Sequence, residues 1–237
     1  MHLADIDNLS NNEDSPFHSM RAVSKLIFTA IIITLFIVSN NILELILLTT
    51  VILISFRIGK VPYGQVFHLI LYPLFFSSLF ALFRFQQSFT AGILVIIKAC
   101  GTAMTMILLI TTTPYVDIFS ILSLFLPKLL VDVFLFTYRA LFILIGQVES
   151  LIKSIKLRAG YSPLKIVKNL KNIANALGIV IVKSIEMNDR MYQIYALRGY
   201  NGSIPISKDV GPLKANDFLL IGFSCVILIG KVISWRL

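Results

Sequence analysis

Residues 26–56 read LIFTAIIITLFIVSNNILELILLTTVILISF. The only charged or amide side chains among them are Asn40, Asn41 and Glu44. A helix crossing a bilayer needs about 20 apolar residues, so this stretch is long for one crossing and short for two. The Asn pair is a turn signal and favours two short spans joined there. Downstream, Arg57, Gly59, Lys60 and Pro62 form a basic loop, and residues 66–83 make a third, Phe-rich span. Arg84, Gln86 and Gln87 end it, and residues 90–110 make a fourth, with Lys98 inside. An ammonium at mid-membrane costs about 2.5–3.5 kcal/mol on insertion scales, so Lys98 is expected to face protein as an internal hydrogen-bond partner, with snorkelling to a nearby interface as the alternative.

Residues 110–130 read ITTTPYVDIFSILSLFLPKLL. Thr-Thr-Thr-Pro ends a helix, Asp117 can begin another, and residues 118–126 are too few to cross before Pro127 interrupts them. Residues 129–145 form a further span carrying Tyr138 and Arg139, and residues 218–235 form the last, with Lys231, Trp235 and Arg236 suited to an interface. The expected class is an all-α polytopic membrane protein of about six transmembrane helices. A re-entrant or seventh segment near residues 114–128 would bring both basic stretches to one side.

Composition agrees. Charged residues make up 14% of the 237, against a soluble norm of about 25%, and the mean hydropathy is +0.87. Residues 1–25 carry Asp5, Asp7, Glu13 and Asp14 against Arg21 and Lys25, and read as a polar tail rather than a removable leader. Cys100 and Cys225 lie in apolar stretches and are expected to be buried small hydrophobes, with no metal-ligand spacing. His2, His18 and His68 are scattered, and His2 is the weak exception as a metal ligand beside a free amine. Residues 139–214 hold twelve Lys/Arg against four acids, nearly the whole net charge of +9, which places this block on the cytoplasmic side. No soluble basic module with exposed aromatics is separable, which argues against nucleic acid as a partner.

Two segments in that block share one register. VESLIKSIKLRAGY puts Glu149 nine residues before Arg158, and NDRMYQIYALRGYNG puts Asp189 nine before Arg198. Leu151 then matches Met191, Ile152 matches Tyr192, Ile155 matches Tyr195 and Leu157 matches Leu197. Apolar residues recur at helical spacing in both, so each is an amphipathic helix. Gly160 and Gly199 suit the left-handed position that ends a helix, with Pro163 and Pro205 beyond. Ordinary capping explains one such arginine, for about 0.3–1 kcal/mol. Two in register point instead to a pair of rigid helices, each presenting a planar guanidinium that binds a carboxylate bidentately at a protein interface.

These residues resemble the transmembrane T-component of energy-coupling-factor transporters, a branch of the ABC importers. The likeness runs through residues 110–130, TYRALFIL (137–144), Glu149, and the two Leu-Arg segments, of which YALRGYNG (195–202) is the most specific. The opening HSMRAVSKL (18–26) leans toward the cobalt/nickel subgroup, although it has Arg21 and Ala22 where Asp and Pro are usual. The resemblance implies two long cytoplasmic coupling helices whose Arg-centred tips seat in a pair of ATPase subunits. Arg158 and Arg198 would make that contact, with Leu157 and Leu197 where the family commonly has Ala, and Gly160 and Gly199 shaping the tips. Lys98 lies where family members often show a basic residue.

The expected organisation is a polar tail (1–25), transmembrane helices (26–145), a cytoplasmic coupling region (146–214) and a C-terminal transmembrane helix (215–237). The expected function is a non-catalytic scaffold passing ATP-driven motion of two ATPases to a separate substrate-binding membrane subunit. It binds no cofactor itself, because the partners hydrolyse the ATP with its Mg ion. Cobalt or nickel is the expected cargo, with a vitamin importer as the alternative. No nucleophile–base pair, carboxylate cluster or phosphate-cradling glycine loop is visible. A membrane enzyme would rest on Asp117 and Asp132, fifteen residues apart and read as caps. A self-contained secondary transporter or channel would need inverted repeats of spans, whereas the visible repeat lies in the basic block.

Overall fold

The computed structural model describes residues 9–11, 15–61, 63–158, 166–200 and 215–236. Among them the chain is helical, without strands: α1 (Ala22–Val38), α2 (Ile42–Ile58), α3 (Tyr63–Phe85), α4 (Phe89–Thr112), α5 (Tyr115–Leu122), α6 (Lys128–Leu157), α7 (Ile166–Leu197) and α8 (Ala215–Arg236). Helices α3, α4 and α6 are long and apolar enough to cross a membrane, and α1 is a shorter apolar helix. The chain divides into two compact units, residues 1–121 with 208–237, and residues 122–207.

In the first unit the break between α1 and α2 falls at Ser39–Asn41, where the Asn pair places it. Ser39 and Asn41 are extended, and the Asn41 amide donates to Glu44 Oε1 (3.1 Å). Glu44 also pairs with Lys231 of α8. The core joins Phe28, Ile32, Leu35 and Phe36 of α1 to Leu45, Leu48, Ile52 and Phe56 of α2, with Leu108 of α4 and Leu220 of α8. Gly101 lets α1 and α4 approach closely, since a Cβ there would sit 2.4 Å from the buried Phe36 ring.

The two lysines of α1 and α4 cap each other's helices. Lys25 Nζ donates to the carbonyl of Thr112, the last residue of α4 (2.6 Å), and Lys98 Nζ donates to the carbonyl of Ile37 near the end of α1 (3.0 Å) and to Asn40 Oδ1 (3.1 Å). The last carbonyls of a helix lack intrahelical partners and carry partial negative charge, which is why two ammoniums are tolerated among apolar helices. Lys98 is thus the internal donor expected of it. Helix α1 begins at Ala22, four residues before the expected span, and takes Lys25 inside at 2% exposure. Its start is held from α8, where the fully buried Asp217 accepts from the Arg21 N–H (2.8 Å).

Two expectations need correction. Cys225 is exposed on α8, and Cys100 on α4 is only half-buried. Of the two readings of residues 114–128 the seventh crossing falls on length, since α5 has eight residues, about 12 Å of helix against about 30 Å of hydrocarbon, which leaves the re-entrant one. Asp117 falls in its first turn.

In the second unit, α6 runs unbroken for 30 residues, starting just after Pro127. The apolar span expected over 129–145 and the amphipathic stretch after it are one rod of about 45 Å. Helix α7, of 32 residues, is about 48 Å long and packs against α6.

Candidate functional site

The two Leu-Arg segments end their helices at the same register. Helix α6 stops at Leu157 and α7 at Leu197, and the arginine is the next residue in each. Arg158 N–H bonds Ser154 O and Arg198 N–H bonds Ile194 O, both at 3.1 Å. Burial repeats as well: Leu151 and Ile155 are half-covered, as are Met191 and Tyr195 at the matching positions. Ile152 and Tyr192, matched in sequence as part of an apolar face, are instead both exposed. Glu149 and Asp189 lie exposed in corresponding places, and Arg158 and Arg198 are both exposed. Leu157 is 80% exposed and Leu197 89%. An apolar side chain beside a guanidinium, both in the open at a helix end, is an arrangement for contact rather than for packing within the chain.

The second tip is tightly shaped. Gly199 adopts φ +78°, Gly199 N–H bonds Ala196 O (3.0 Å) and Tyr200 N–H bonds Tyr195 O (2.9 Å). This pair of bonds closes a helix with a left-handed glycine and brings the residue after it back over the last turn. Tyr200 and Tyr195 accordingly lie 6.3 Å apart, and Phe136 of α6 packs edge-on against both, at 5.8 Å and 4.6 Å. The Tyr200 hydroxyl donates to Asp132 Oδ2 (3.1 Å), and Arg139 Nη1 donates to the Tyr195 hydroxyl (3.2 Å). Desolvation, then the hydrogen bond to Asp132 and its charge, push the Tyr200 phenol above its ordinary value, so it stays a neutral donor. At the first tip, Gly160 and Pro163 lie outside the described residues, as does Pro205 beyond the second.

The helix directions oppose one another. Phe136, Ala140 and Leu144 of α6 line a cavity of about 290 Å³ together with Tyr195, Met191 and Ser184 of α7. The end of α7 therefore sits beside the early part of α6. Arg158 lies 22 residues beyond Phe136, about 33 Å further along the rod. The two guanidiniums stand at opposite ends of the pair, far beyond the roughly 8 Å over which salt at physiological strength lets exposed charges interact.

Sequence reasoning missed Asp132, Phe136 and Tyr200. Asp132 was read as a cap, whereas it is 3% exposed and accepts from a residue 68 positions away. The signal for Tyr200 was available, since a residue just after a left-handed glycine commonly packs on the helix's last turn. On α7, expected to be amphipathic, the mostly apolar positions divide by packing. Val180, Ser184, Met187, Met191 and Tyr195 are half-covered, whereas Ile166, Leu170, Ile173, Leu177, Ile181 and Ile185 stay exposed. Among the described residues no group of three or more His, Cys, Asp or Glu is placed to hold a metal ion; His2 lies outside them.

No curated protein matches the chain. A family described as cobalt transport protein does, over residues 13–208, from the polar N-terminal segment to beyond the second arginine tip. With its helical, multi-pass fold and its paired tips, the chain belongs to that family, CbiQ, the transmembrane component of energy-coupling-factor transporters.

Proposed function

We propose that the chain is the coupling subunit of an ATP-driven importer, with a cobalt ion as cargo. In this reading α6, although long and apolar enough to cross, lies with α7 along the cytoplasmic face, and Arg158 and Arg198 each seat in one of two cytoplasmic ATPase subunits. The observation that carries it is the pair of matched, exposed Leu-Arg tips about 33 Å apart at opposite ends of two packed rods. That spacing suits two partner subunits, one to each tip. The +8 charge balance of residues 139–214 favours the cytoplasmic side for them.

A substrate-binding membrane subunit packs on apolar surface that the chain leaves open. The exposed stripe of α7 from Ile166 to Tyr192, about 39 Å long, is the leading candidate, and the exposed Phe75, Phe76, Phe80 and Phe83 of α3 offer a second. When ATP closes the ATPase pair, the tips are displaced, and long helices braced against each other carry the shift without bending. The chain contributes rigidity and contact; the hydrolysis belongs to the partners.

The test is the double variant Arg158→Ala with Arg198→Ala. It should insert and purify normally but lose both ATPase subunits on affinity purification in detergent. Full assembly of that variant would refute the docking role.

A further inference from the structure

The second tip is tied sideways to the other rod, and that tie assigns a role to Tyr200 and Asp132. Gly199 turns the chain so that the Tyr200 ring returns over Tyr195 and against Phe136, and the phenol reaches the buried Asp132 carboxylate. Asp132 and Phe136 lie in the first third of α6, the helix whose far end carries Arg158.

We infer that Tyr200 and Asp132 form a latch that makes α6 the shared lever of both tips: a displacement at Arg198 enters α6 through the phenol–carboxylate bond, while a displacement at Arg158 enters it along its axis. This rests on the docking role proposed above. Tyr200 and Asp132 are positioning residues in it, since neither touches the cargo or the nucleotide. An aromatic stack alone can slide, because ring contacts are weakly directional. A hydrogen bond to a buried carboxylate fixes the register between the end of α7 and residue 132. Without the hydroxyl, the tip keeps its shape, which the backbone bonds of Gly199 and Tyr200 supply, but α7 can move past α6.

The experiment uses the complete complex, with ATPase and substrate-binding subunits present and spin labels at the exposed Val133 and Gln193. The distance between labels is measured without nucleotide and with a non-hydrolysable ATP analogue. In the parent chain the distance should not change with nucleotide. In Tyr200→Phe the ATPases should still co-purify, and nucleotide should shift the distance by about 2 Å or more, the scale of helix sliding at interfaces. Asp132→Ala should behave likewise, whereas Asp132→Asn, whose amide oxygen still accepts, should match the parent. A nucleotide-independent distance in Tyr200→Phe and Asp132→Ala overturns the latch and leaves the docking role standing. Loss of the ATPases from Tyr200→Phe alone also overturns it, by making the phenol part of the tip's shape. A parent chain that recruits no ATPase overturns the docking role and the latch with it.

Discussion

Replacing Arg158 and Arg198 by alanine, singly and then together, measures whether the tips act as independent contacts. Truncating an interface arginine that is well buried by its partner costs about 2 kcal/mol or more. Each single variant should therefore weaken ATPase assembly roughly 30-fold. The tips lie about 33 Å apart on separate helix ends, well beyond the roughly 7–10 Å within which substitutions couple. The double variant should then lose about 4 kcal/mol, roughly 1,000-fold, with a departure from additivity under about 0.5 kcal/mol. The assay is a titration of detergent-solubilised chain with purified ATPase subunits at fixed ionic strength, reading the total free energy of assembly. Lysine in place of either arginine should fall between parent and alanine, because it keeps the charge and loses the planar fork. A single variant that abolishes binding as fully as the double, or a double no weaker than one single, would refute two separate docking points.

The glycines supply sharper tests of local geometry. Gly199→Ala should weaken the second tip by roughly 1–2 kcal/mol, because the space around it is open and the cost lies wholly in the left-handed backbone. Gly199→Asn should cost less, and equal affinities for all three residues would contradict the φ assigned here. Gly101→Val should lower the melting temperature of the purified chain by overpacking Phe36, a loss of about 1–3 kcal/mol; an unchanged melting temperature would contradict the close α1–α4 approach.

Much of this was legible in the sequence because apolar runs and their breakers are local signals. Asn40 and Asn41 marked the α1–α2 joint, and the Glu149–Arg158 and Asp189–Arg198 intervals fixed the matching helix ends. The misreadings came where tertiary satisfaction overrides local chemistry. Lys25 reads as tail because it is charged, yet the last carbonyl of α4 gives it a place inside. Asp132 reads as a cap because it is an acid near a helix start, yet it accepts from a tyrosine just beyond the end of α7. Asp217 attracted no notice, and it closes the start of α1 from the far end of the chain. Such pairs, 68 to 196 positions apart, leave no trace in a spacing pattern. The division of the α7 stripe was hidden for a related reason: periodicity finds an apolar side, and only packing shows which part of it α6 covers.

The central claim is that both tips touch an ATPase. Photo-activated cross-linking from residues replacing Leu157 and Leu197, each next to its arginine and open to solvent, tests this in native membranes. Covalent adducts to ATPase subunits from both positions, lost when the neighbouring arginine is changed to alanine, are the predicted result. Adducts only to lipid, or to proteins on the opposite side of the membrane, would contradict it.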